Sequence, residues 1–125
     1  MSDIPLPPTF TEEDRRIVAL LHHEPEDWTR KSFDAAFIHL SLAHRVKDID
    51  PAMAIFRAIT AEEEAATGLL RALKTRGYAG SRELLPRDHL QKAAVYPYLC
   101  AIARHSSYLR MNGVKEVRLG ISKLY

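Results

Sequence analysis

The chain has 125 residues, a formal net charge of +2 and a single cysteine, Cys100. That length suits one domain with a core of its own. The charge is too small to demand a nucleic-acid partner by itself, and one thiol excludes an intramolecular disulfide and suits a reducing compartment. No apolar run reaches the ~20 residues of a membrane-spanning helix, and residues 1–9 lack the charged-then-apolar pattern of a secretory signal, so a cytoplasmic protein with no membrane partner is expected.

Residues 1–10 carry Pro5, Pro7 and Pro8 and are predicted to form an extended arm. Thr11, followed by Glu12, Glu13 and Asp14, reads as a helix cap with an acidic first turn. The helix it opens presents Ile17, Leu20 and Leu21, with Val18 alongside, and stops at His22-His23 before Pro25. A second helix is expected from Glu26 or Ser32 to about Asp48. It has two nearly opposite apolar stripes: Phe33, Ala36, Phe37, Leu40 and His44, then Ala35, Ile38, Leu42 and Val46. Two such faces exceed what an isolated four-helix monomer buries, which points to a homodimer or to a further helix laid across one of them.

Asp50-Pro51 opens a third helix, the Asp accepting from free amides and the Pro losing no hydrogen bond, and Gly77 closes it after Arg76. At 100° per residue, Ile55, Ile59, Ala66, Leu69, Leu70 and Leu73 form one arc with Phe56 at its edge, which is an ordinary core stripe. Ala54, Ala58, Ala61, Ala65, Gly68 and Ala72 form a second, small-residue arc that lets another backbone come close. Glu62 and Glu63 fall inside the large-residue arc. Buried there, each carboxylate needs a partner, because an unpaired charge in an apolar setting costs several kcal/mol; a structural ion pair or a carboxylate snorkelling at the rim is the plainer alternative to a functional site.

Residues 78–87 read as a loop with one possible helical turn around Arg82, and Asp88 as the cap of a last helix running to about Arg110. Its predicted inner stripe is Leu90, Ala94, Tyr98, Ala101, His105 and Tyr108, and Pro97 is predicted to bend it. After Asn112-Gly113, residues 114–121 are rich enough in β-branched side chains for a short strand without an evident partner. The fold class expected is all-α, an up-and-down bundle of four main helices over residues 11–111, dimeric through the alanine stripe of the third helix or through the second helix, with 112–125 as a tail or strand.

Few constellations carry chemistry. A di-iron carboxylate bundle needs paired Glu-x-x-His motifs, and no glutamate here is followed by His three residues later. His22-His23-Glu24 lacks further ligands at a metal-site spacing, and His39 and His44, five residues apart, face different directions on a helix. No metal and no small-molecule cofactor is expected, and neither a nucleophile motif nor a phosphate loop occurs. Arg71, Lys74, Arg76, Arg82, Arg87 and Lys92 gather toward one end of the bundle, and Arg104, Arg110, Lys115 and Arg118 toward the other. Both groups read either as solvated helix faces or as a nucleic-acid footprint.

Ala61-Glu62-Glu63 at the centre of one helix, an amphipathic helix before it, and His89-x-x-Lys92 at the start of the next together resemble the abortive-infection AbiV branch of the HEPN-type helical domains, over about residues 33–102. The resemblance implies a helical bundle that often dimerises, and membership among endoribonucleases or their noncatalytic partners in phage defence and toxin–antitoxin pairs. The ribonuclease signature, an Arg, four to six residues and a His, is met by Arg82 and His89, and also by Arg16 with His22 or His23. Pro86 interrupts the first pair, and Ala65, Ala66 and Thr67 stand where a Lys often follows the acids. The expectation is therefore a noncatalytic interaction module with a protein or RNA partner. The alternatives are an endoribonuclease, with His89 as acid or base and Arg82 stabilising phosphate charge, and a purely structural oligomerisation domain. The resemblance also supplies the two acids with partners: His89 or Lys92 is expected to reach Glu62 or Glu63 in a buried polar site joining two helices.

Overall fold

A computed structural model describes residues 6–113. Four helices follow one another: α1 (Glu12–His22), α2 (Asp27–Val46), α3 (Pro51–Thr75) and α4 (His89–Met111), with a 3-10 turn at Ser81–Glu83 between the last two. The fold is all-α. Among the described residues no helix is long and apolar enough to cross a membrane. The strand expected at residues 114–121 lies outside the described residues.

Local chemistry sets the helix ends. Thr11 and Asp14 form a reciprocal box, with the Thr11 amide donating to Asp14 Oδ2 at 2.8 Å and the Asp14 amide to Thr11 Oγ1 at 3.1 Å. Glu26, not Ser32, opens α2: its carboxylate accepts from the amides of Trp28 at 3.0 Å and Thr29 at 2.6 Å, and from the Thr29 hydroxyl. The Thr29 hydroxyl is the main reason that the Glu26 carboxyl is held below its ordinary value. Asp50 accepts from the Met53 amide at 3.0 Å above Pro51. Gly77, with φ of +68°, turns the chain out of α3 in a conformation open to glycine at little cost. Asp88 accepts from the Gln91 amide at 2.9 Å as α4 begins, and Pro97 lies within α4 without ending it.

α2 and α3 form an antiparallel pair that carries most of the tertiary contact. Ser32 meets Arg71, Phe33 meets Gly68 and His39 meets Arg57, so partners rise on one helix as they fall on the other. The small-residue arc of α3 makes this possible. A Cβ added at Gly68 would lie 2.8 Å from the Phe33 ring, and the ring, with Ala36, Ala61, Ala66 and Leu70, belongs to the buried core. Arg57 Nη1 donates to His39 Nδ1 at 3.1 Å across the same seam. At the seam's other end the half-exposed Arg76 donates to both oxygens of the buried Glu24 carboxylate, at 3.0 and 2.8 Å, tying the α1–α2 turn to the end of α3.

Two sequence expectations need correction. The large-residue arc of α3 is core only in its second half: Ala66 and Leu70 are buried, whereas Ile55, Phe56 and Ile59 stand 63, 62 and 54% exposed. Having docked its small face on α2, α3 leaves the neighbouring sector to α4, whose contact with it is much smaller. The predicted inner stripe of α4 is also displaced. Leu90, Ala94, Tyr98, Ala101 and His105 are exposed, the expectation for the Tyr108 side chain lies outside what is described, and the partly covered positions include Gln91, Lys92, Val95, Ile102 and Ser106. Hydrophobic periodicity chose the wrong face because α4 alternates large apolar side chains around most of its circumference.

Gly68→Ala separates packing from propensity. Alanine gains about 1 kcal/mol in a helix interior, but overpacking a buried ring costs about 1–3 kcal/mol. A net loss of about 1 kcal/mol is expected, read as a thermal midpoint lowered by a few degrees in circular dichroism; an increased midpoint would mean that Phe33 yields freely.

Candidate functional site

The acid pair does not form the buried polar site expected of it. Glu62 and Glu63 are exposed. His89 Nδ1 does approach Glu63 Oε1, at 3.8 Å, but the two side chains are 79 and 48% exposed. The reason lies in the fold: α4 touches α3 near its own start and leaves the sector holding both carboxylates open to water. The Tyr96 hydroxyl is held above its ordinary value chiefly by a hydrogen bond with the Cys100 thiol and least by the Glu62 charge. Lys92 belongs elsewhere, since among the described residues no ion pair joins it to either acid.

The Arg–spacer–His pairs fare no better as catalytic units. Arg82 sits on the 3-10 turn and His89 at the start of α4, both exposed, with non-helical chain at residues 84–88 between them. On a continuous helix, residues seven apart would share a face, and the break around Pro86 removes that relation. Among the described residues no hydrogen bond or ion pair links the two. Arg16 pairs with Glu13 at 3.3 Å, while His22 Nδ1 lies 3.2 Å from Asp34 Oδ1, joining α1 to α2. Among the described residues no group of three His, Cys, Asp or Glu could hold a metal ion.

The fold does assemble a different site. A cleft of about 360 Å³ opens where α2, α3 and the start of α4 meet, lined by Trp28, Lys31 and Ser32, by Glu64, Thr67 and Arg71, and by Pro86, Arg87 and Lys92. A second hollow beside it adds Glu26, Lys74 and Thr75. Each wall is positioned by an identifiable contact. The Glu26 cap pins the backbone amides of Trp28 and Thr29. Arg71 Nη1 crosses from α3 to donate to Ser32 Oγ at 3.0 Å and to the Trp28 carbonyl at 3.4 Å. The Thr67 hydroxyl reaches the Glu63 carbonyl at 2.9 Å and the Pro86 carbonyl at 3.4 Å, which fixes the connector that carries Arg87 onto α3.

Electrostatically the site is cationic with an aromatic centre. Lys31, Arg71, Lys74, Arg87 and Lys92 line the two hollows, against Glu26 and Glu64. Lys31 is balanced by Asp27 at 2.9 Å. The Trp28 indole is 62% exposed, with the Arg71 guanidinium 5.4 Å and the Lys31 ammonium 5.7 Å from its ring centre, both within cation–π range. Convergent cations fit phosphate oxygens and an exposed indole fits a flat ring, so the chemistry matches a nucleotide-containing polyanion better than a simple acid.

Of the cations grouped from the sequence, Arg71, Lys74, Arg87 and Lys92 converge here, while Arg76 is held by Glu24 and Arg82 stands apart on the 3-10 turn. Trp28 and Lys31 join them with no motif in the sequence to mark them. Their signal was the only tryptophan of the chain, placed at the start of a helix beside Arg30 and Lys31. Comparison with protein-family models, with curated proteins and with solved structures finds no match for this chain.

An exposed carboxylate–imidazole pair contributes about 0–1 kcal/mol. Glu63→Gln and Lys92→Met, made singly, are therefore each expected to keep the folding stability within about 0.5 kcal/mol of the parent, read from the thermal midpoint. A larger fall in either melting curve would restore a buried pairing.

Proposed function

We propose that this chain is a noncatalytic, HEPN-like interaction module that binds RNA through the cationic cleft beside Trp28, in the cytoplasm, as part of a phage-defence or stress response. The observation that carries the binding is that Arg71, Arg87 and Lys92, from separate elements, line one hollow beside an exposed indole that Arg71 overlies, because cations that outnumber the single acid lining that hollow, Glu64, favour a bound anion. The family part rests on Ala61-Glu62-Glu63 followed by His89-x-x-Lys92. The noncatalytic part is supported by the separation of Arg82 from His89.

Affinity that comes from phosphate contacts falls with salt, with a log–log slope of about −0.7 per contact on a single strand. The wild-type chain is expected to retain labelled RNA at low salt. Arg87→Ala and Lys92→Ala should each flatten the slope by about 0.7. Absence of retention, or unchanged slopes in both variants, would remove the RNA-binding conclusion and leave a protein partner. Cleavage by the wild type that His89→Ala abolishes would replace it with an endoribonuclease.

The module acts as a homodimer in this proposal. Gly68 on the small-residue arc is already packed against α2, so the pairing surface is the open sector of α3 and α4. Ile55, Phe56 and Ile59 on α3 and Tyr96 and Leu99 on α4 are all exposed. Large apolar side chains exposed together in one sector are the usual mark of a protein interaction surface. Light scattering is expected to give twice the chain mass for the wild type and the single-chain mass for Ile59→Glu; a monomeric wild type would overturn the dimer.

A further inference from the structure

The cleft also carries information about which form of RNA it takes, an inference that rests on the RNA-binding proposal above. We infer that its ligand is a single strand, with one unpaired base stacked on the Trp28 indole and the neighbouring phosphates on Arg71, Arg87 and Lys92.

Three observations lead there. The indole lies among the cations rather than apart from them: Arg71 is within 5.4 Å of its ring centre and lines both hollows with it. A ligand that reaches the guanidinium with a phosphate therefore brings its next base to the ring. Trp28 is also rigidly mounted, with its amide held by Glu26 and its carbonyl by Arg71, so little backbone freedom is lost when a base stacks. Finally, the cleft has the scale of one nucleotide, about 360 Å³. An A-form duplex presents phosphates, hydroxyls and base edges while its base faces stay inside the stack, so a duplex laid over the same cations would offer the indole no base face to stack on.

Glu64 sharpens the placement. It is the one acid lining the first hollow, and it repels a phosphate drawn deep into it. The uncharged base is the part of the nucleotide that can enter beside it, while the backbone follows Arg87 and Lys92.

Because Trp28 is the only tryptophan in the chain, intrinsic fluorescence reports on this ring alone. The full chain would be titrated at low salt with a short unstructured oligoribonucleotide and with a blunt RNA duplex of equal length, followed by Trp28 emission and by anisotropy of an end label. The single strand is expected to quench Trp28 and to bind at least about ten-fold more tightly than the duplex. Trp28→Ala should weaken single-strand binding by roughly ten-fold or more with the salt slope unchanged, and Trp28→Phe should recover most of the loss, since stacking and not charge is what is removed. A helical circular dichroism spectrum confirms that each variant is folded. Equal affinity for strand and duplex with unaltered emission, or a Trp28→Ala variant that binds as the parent does, overturns stacking while leaving RNA binding in place. Failure of both nucleic acids to bind at low salt overturns the RNA-binding proposal itself and the stacking with it.

Discussion

The Phe33 ring rests on the backbone of α3 at Gly68, and that contact sets how close two helices come. A side chain of any size at position 68 would push α2 outward. Ala61, two turns before Gly68 on the same arc, is buried as well, whereas Ala58 is exposed, so the tight part of the seam is built from dispersion contacts between small groups and one aromatic ring. Arg71 to Ser32 and Arg57 to His39 add polar contacts across it.

Docking the small face has a geometric consequence for the rest of the molecule. The sector carrying Ile55, Phe56 and Ile59 adjoins the seam without being part of it, and only α4 could cover it. α4 is held at its beginning, where Thr67 fastens the Pro86 carbonyl and Glu63 lies near His89, and its partly covered face is shallow. Glu62 and Glu63 consequently keep their hydration. An acid pair in water needs no partner, which is why neither His89 nor Lys92 is required to neutralise it.

The anchoring that leaves one face of α3 open builds the cationic cleft on another. Pro86 and Arg87 lie against the α3 turn that holds Thr67 and Arg71, and the capped start of α2 brings Trp28 to the same place. Bringing several cations together opposes folding. Asp27 and Glu26 offset part of that repulsion locally, and the indole face offsets a further part. What remains is an excess of cationic over acidic side chains lining the two hollows.

The helix ends were legible in the sequence because capping is local chemistry. Thr11 with Asp14, Asp50 with Pro51, Gly77 and Asp88 each act within four residues, and each stands where its residue type predicts. The all-α class and the order of the four helices follow from those signals. Which sector of a helix becomes core is a different kind of question. On α3 the large-residue arc had the greater hydrophobicity and the small-residue arc the better shape, and shape prevailed because Phe33 on α2 had Gly68 to fit against. No property of α3 alone could decide that, just as nothing local to Trp28 announced Arg87, fifty-nine positions away along the chain. Sequence determined where each helix starts and stops; only the tertiary structure decided which faces meet and which cations share a cleft, since both depend on distances between residues remote in the chain.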